Sequence, residues 1–159
     1  MRRSMILAVL LSSIVTVVPA AAAPGTPGHS HGAFSAGEPG NPKKPARTVV
    51  VTMQEGDGKM TFSQSLIEVR RGEQVRFVLM NVGELDHEFV LATRKENDKH
   101  AELMKKYPEM EHDDPNAKRV TPKKQSEFVW RFTKRGEFEF ACLIPGHRES
   151  GMHGKIVVK

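Results

Sequence analysis

The sequence predicts an all-β sandwich interrupted by one short helix. Three observations carry that expectation. From residue 47 onward, β-branched and aromatic residues alternate with polar ones in short runs, the period of a strand with one buried face. Turns containing glycine, rather than long helical stretches, divide those runs. A single segment, residues 93–107, lacks β-branched residues after its first position and is rich in good helix formers.

The strands follow in order. "RTVVVTM" is β-branched, and "SLIEVRRGEQVRFVLMN" divides into two runs around Arg71, Gly72 and Glu73. In the second of these, Val75, Phe77 and Leu79 alternate with Gln74, Arg76 and Val78. "HEFVLA" follows the loop "NVGELD". "SEFVWRF" alternates Phe128, Trp130 and Phe132 with smaller or charged neighbours, "GEFEFAC" alternates Phe138, Phe140 and Cys142 with glutamates, and "GKIVVK" closes the chain. The helix has Thr93 as its cap, Glu96 three residues on to complete a capping box, and Pro108 as a stop. Its narrow apolar stripe of Leu103, Met104 and Tyr107 predicts a helix lying on the sandwich rather than inside it.

Upstream the composition changes twice. Residues 1–22 begin with Arg2 and Arg3, continue through an apolar run at residues 5–18 and end in small residues, the layout of a secretory signal peptide. The apolar run is shorter than the ~20 residues a spanning helix needs, so the expected product is periplasmic, with no membrane span. Residues 23–46 are dense in Gly, Pro and Ala and are expected to form a flexible leader. Within it "HSH", His29 and His31, reads as a solvated tail or as a weak metal-capture site. The sandwich domain is expected at residues 47–159. Charge adds an exclusion: without Arg2 and Arg3, 22 basic residues face 19 acidic ones, interleaved and without an aromatic-studded basic stripe, so nucleic acid is not an expected partner.

"ACLIPGHRESGM" carries the chemistry. It holds the chain's single cysteine, Cys142, with His147 and Met152 following at intervals of five residues. In an oxidising compartment a cysteine without an intrachain partner is an intermolecular bridge, a buried thiol or a metal ligand. Alternation places Cys142 on the face of Phe138 and Phe140, and His87 on the face of Phe89 and Leu91. Both therefore point inward from strand ends, with His147 and Met152 on the loop that folds back over them. Thiolate and thioether are soft donors and imidazole accepts both copper oxidation states, so two histidines, one cysteine and one methionine suit copper. Zinc would prefer another Cys, His or carboxylate to Met. A catalytic Cys–His pair leaves Met152 and the apolar Leu143, Ile144 and Pro145 unexplained.

Residues 47–159 resemble a cupredoxin, the plastocyanin/azurin-like blue-copper family, on "IEVRRGEQVRFVLMNVGELDHEFVL" and the Cys-x4-His-x4-Met loop. The resemblance implies a Greek-key β-sandwich binding one type 1 copper ion through His87, Cys142, His147 and Met152. Two departures stand out: Glu88 occupies the position after the first histidine where many cupredoxins have Asn, and the helix with "YPEMEHDDPN" is longer than its plastocyanin counterpart. That insertion, the histidine-containing leader and "GEPGNP" look similar to CopI-like cupredoxins of bacterial copper tolerance. Met110 and His112 read as solvated loop residues or as an accessory copper site, His100 as an exposed helix residue, and His153 as turned away from Met152.

The expected function is one-electron transfer by an exported copper protein, with a transient redox partner docking near His147. The alternative is copper tolerance, in which surplus periplasmic copper is sequestered or oxidised alongside other copper-handling proteins. Neither requires an enzyme. A copper nitrite reductase would normally need a further three-histidine copper and a longer chain.

Overall fold

The computed structural model describes residues 34–107 and 114–159. Residues 1–22, His29, His31, Met110 and His112 lie outside the described residues. Ten strands and one helix follow in chain order. They are β1 (Glu38–Pro39), β2 (Arg47–Gly56), β3 (Lys59–Phe62), β4 (Leu66–Val69), β5 (Gln74–Asn81) and β6 (His87–Ala92), then α1 (Arg94–Lys106), and finally β7 (Ala117–Val120), β8 (Gln125–Arg131), β9 (Gly136–Ala141) and β10 (His153–Val158).

The strands form two five-stranded sheets, ordered β1-β8-β5-β2-β3 and β4-β10-β9-β6-β7. Parallel pairing of β2 with β5 and of β4 with β10 joins otherwise antiparallel ladders. The Asp57-Gly58 turn between β2 and β3 has positive φ at both residues, 52° and 72°, which matches the twist of a two-residue hairpin.

Between the sheets lies an aromatic core. Val75, Phe77 and Leu79 of β5 are buried as the alternation predicts, in one core cluster with Trp130 and Phe132 of their own side and Phe89 and Phe140 of the other sheet. Phe89 stacks on Phe140 with ring centroids 5.1 Å apart, and Phe77 stacks on Phe128 at the same separation. Such pairs add about 0.5–1.5 kcal/mol each beyond their buried area.

The helix forms where expected, with its capping box intact. Glu96 N–H donates to Thr93 Oγ1 at 3.3 Å, and Thr93 N–H donates to Glu96 Oε2 at 2.9 Å. Its buried stripe differs from the predicted one. Leu103 and Tyr107 are exposed, whereas Asn97 and Met104 are buried and Ala101 packs beside them. These positions follow the spacing of one helical face. The face covers Val90, Ala117, Ala141 and Leu143 on the outer side of the second sheet, and all six residues of β6 are buried.

The predicted leader also needs correction. Residues 34–46 pack on the sandwich: β1 pairs with β8, Ala36 is buried, and the Phe34 ring meets Trp130 edge-on at 5.3 Å. The packed unit thus begins upstream of the predicted boundary at residue 47. Composition concealed this because Phe34 is the one large apolar residue among so many Gly, Pro and Ala.

Candidate metal centre

Antiparallel pairing of β6 with β9 places the start of one strand beside the end of the other, with Val90 opposite Ala141. His87 opens β6 and Cys142 follows β9, so the two inward-facing side chains meet at the same end of the sandwich. The chain then leaves β9 through a tight loop. His147 N–H donates to Ile144 O at 3.0 Å, Ser150 N–H donates to Gly146 O at 3.1 Å, and Gly146 has φ +89°, which favours glycine. Met152 N–H donates to His147 O at 3.1 Å, and Cys142 N–H donates to Met152 O at 3.0 Å. The two ends of the loop are thereby closed on each other, returning His147 over Cys142.

One potential ligand atom from each of His87, Cys142 and His147 lies within 4.8 Å of the other two. The Nδ1 atoms of the two histidines are 3.3 Å apart, and Cys142 Sγ is 3.3 Å from His147 Nδ1. Both rings therefore present the same nitrogen toward one thiol. This soft sulfur with two imidazoles is a donor set that copper takes in type 1 sites, and the arrangement is compatible with one such ion. Met152 is fully buried in the same core cluster as Cys142.

Burial pushes the Cys142 thiol up to about 12, although the N–H groups of Glu88 and Ile144 favour a thiolate. Glu88 N–H reaches Cys142 Sγ at 3.3 Å. A metal held there must displace the thiol proton. Burial, and then the neighbouring His87, lower the pKa of His147 and so favour the neutral ring that a metal requires. Glu88, the departure noted in the sequence, is itself buried, and its carboxyl rises to about 7; the Leu143 N–H and Arg119 oppose that rise only in part.

Two supporting residues were not anticipated. Glu55, near the end of β2, places Oε1 2.7 Å from His87 Nε2 and accepts from the N–H groups of Glu84 and Leu85 at 3.0 Å. Burial alone would raise its carboxyl; those two amides and His87 outweigh burial and bring it below the usual range. Asn81 secures the same loop, donating from Nδ2 to Leu85 O at 2.7 Å and Val120 O at 2.8 Å while Oδ1 accepts from Gly83 N–H at 2.9 Å. No local pattern marks Glu55, because its partners lie about 30 residues away and are reached only through the pairing of β2 with β5.

The other expectations divide. His153 is exposed on the opposite side of its strand from Met152, as predicted. His100 is half-buried rather than exposed. Of the apolar residues between Cys142 and His147, Leu143 is buried with the helix-covered cluster, whereas Pro145 is exposed and Ile144 half-buried.

This fold and donor set define a copper-binding protein of the cupredoxin class. Residues 49–159 match the family described as copper binding proteins, plastocyanin/azurin family, and the chain belongs to it. It is 48% identical to the copper-resistant cuproprotein CopI of Rubrivivax gelatinosus over 143 residues, spanning 83% of this chain and 85% of that one. The CopI of Pseudomonas aeruginosa is 34% identical over 175 aligned positions, covering 92% and 93% of the two chains. Among solved structures, auracyanin B superposes with a TM-score of 0.62 at 20% identity, covering 78% of this chain and 96% of its own. That likeness supports the sandwich architecture. No helix among the described residues is long and apolar enough to cross a membrane.

Proposed function

We propose that this chain is an exported type 1 copper protein that transfers one electron at a time, with His87, Cys142 and His147 as principal ligands and Met152 as the weak axial donor. The convergence of two Nδ1 atoms and one Sγ at a buried strand end carries the proposal. Copper held by these residues would supply a one-electron Cu(II)/Cu(I) couple. The residues themselves supply a cage whose ligands are fixed by strand ends and by a loop closed on itself, which limits rearrangement between oxidation states. His87, Cys142 and Met152 are 0% exposed, while His147 retains 8%. His147, next to exposed Pro145, is thus the exit for an electron toward a transiently docked redox protein. The carrier reading requires no bond-making on a substrate. The signal-peptide layout of residues 1–22 supports a periplasmic location.

A second reading, copper tolerance, is favoured by the name carried by two of the relatives, copper-resistant cuproprotein. The same cage would serve to bind or oxidise surplus copper beside other copper-handling proteins. The decisive test for the shared centre is the intense visible thiolate-to-copper absorption of the cupric protein. Cys142→Ala should abolish it, and a variant that keeps the band would sink the ligand assignment. Copper stoichiometry separates the readings: one ion per chain favours a carrier, and two or more favour copper handling.

A further inference from the structure

We propose that Glu55 is a positioning residue of the metal centre, whose carboxylate holds His87 in the Nε2–H tautomer and strengthens its Nδ1 as a donor to cupric copper. The inference rests on the assignment of His87, Cys142 and His147 as copper ligands.

An ionised carboxylate only accepts hydrogen bonds, and a neutral imidazole carries one N–H. With Glu55 Oε1 2.7 Å from Nε2, the proton belongs on Nε2. The Nδ1 lone pair is then free to face His147 Nδ1 and the thiol, on the side of the ring where the donors converge. Glu55 bonds the nitrogen that diverges from that point, so it acts through His87 rather than as a ligand.

Three features fix the carboxylate in place. Leu85 N–H occupies Oε1 and Glu84 N–H occupies Oε2, each at 3.0 Å. The β2–β5 register, with Met53 opposite Asn81, delivers Glu55 beside the loop at residues 82–86. Gly83 leaves the necessary space: a Cβ there would overlap both carboxylate oxygens. His87 is fully buried, so water does not compete with Glu55 for Nε2.

A carboxylate on the outer nitrogen raises the basicity of a ligating imidazole, and losing such a partner typically costs about 10–100-fold in metal affinity. Both the added basicity and the nearby negative charge favour the more highly charged ion. Glu55 should therefore stabilise Cu(II) more than Cu(I).

The copper measurements use the full chain and two variants that disturb the carboxylate in different ways. Glu55→Gln removes the charge while conserving volume. Gly83→Ala keeps the charge but crowds the carboxylate away from its seat. Cupric and cuprous affinities would be measured against competing chelators, and the reduction potential by redox titration. Both variants should lose more cupric than cuprous affinity, by about 10–100-fold for Glu55→Gln. The potential should rise by about 59 mV for each tenfold excess of cupric over cuprous loss. A merely structural role for Glu55 would weaken both oxidation states alike and leave the potential unchanged, and that result overturns the proposal. The metal-free protein gives an independent reading through imidazole 15N shifts, which distinguish the two neutral tautomers. His87 should be Nε2–H in the parent and a tautomer mixture in Glu55→Ala; an Nδ1–H parent overturns the proposal. A parent protein that shows this tautomer but no thiolate-to-copper band would overturn the copper assignment instead.

Discussion

Arg148 grips Glu139 with its Nη2, 2.8 Å and 2.9 Å from the two carboxylate oxygens. The same guanidinium reaches Asp98 Oδ1 at 2.7 Å, and Asn97 Nδ2 donates to Glu139 at 3.0 Å. One residue after His147, the loop between β9 and β10 is thus fastened both to β9 and to the helix α1.

Removing the arginine should leave Glu139, which is 8% exposed, with a largely uncompensated charge. Loss of one partner from a fully buried pair costs about 3–5 kcal/mol. Some solvent reaches this pair, so Arg148→Gln should cost about 2 kcal/mol in urea unfolding of the metal-free chain. Adding Glu139→Gln should restore part of the loss. A double variant that is additive would show that the two side chains are not coupled.

The helix cap makes a prediction with a pH signature. Burial alone would raise the Glu96 carboxyl, but bonds from Ser35 and Thr93 outweigh it and hold it below its ordinary 4.5. A carboxyl depressed on folding contributes stability above its unfolded value, and loses it as pH falls through the folded one. Glu96→Gln should therefore destabilise the protein at neutral pH, with the difference from the parent closing below about pH 4.5. Thr93→Ala should cost about 1 kcal/mol. A Glu96→Gln deficit that is constant down to strongly acidic pH would contradict the assigned bonds.

Much of this architecture was legible because its cause is local. Alternation at Val75, Phe77 and Leu79 reports the buried face of a strand directly, and Thr93 with Glu96 announces the cap. The candidate centre was legible for a related reason: Cys142, His147 and Met152 lie on one loop, and strand period alone turns His87 inward. What was hidden depends on contacts distant in sequence. Val90 and Ala141 are buried on what alternation marks as the outer face, because the helix covers them. The helical stripe was misplaced because Asn97, a polar residue, is buried against Glu139. Glu55 resembles any charge beside a hairpin until the two sheet strands bring it to His87.

Met152→Leu tests the axial role proposed for Met152. Met152 is fully buried, and leucine approximates its volume, so the fold should tolerate the change at less than about 1.5 kcal/mol. With the two histidines and the cysteine retained, the variant should still bind copper and show an intense thiolate band. Loss of a soft donor to an apolar side chain should raise the reduction potential, as measured by redox titration. Complete loss of copper from a folded variant would make methionine a principal ligand instead.

The last prediction addresses whether copper tolerance draws on residues outside the cage. His29, His31, Met110 and His112 are not needed to assemble His87, Cys142 and His147, which strand ends and the closed loop already bring together. Histidine and methionine side chains can nevertheless collect cuprous copper without a preformed site, because donor softness rather than geometry governs that affinity. The packing of Phe34 on Trp130 and of β1 on β8 determines where such a test must cut. A chain whose mature sequence begins at Phe34 removes both leader histidines and keeps those contacts, whereas a cut near Lys43 would remove β1. Combined with Met110→Ala and His112→Ala, this truncation should preserve the visible spectrum of the cupric protein. If the accessory residues contribute to tolerance, total bound copper should fall below that of the full chain, and cells carrying the variant should grow less well in excess copper. Equal copper content and equal growth would assign the whole of the copper chemistry to the cage, leaving electron transfer through His147 as the reading to pursue.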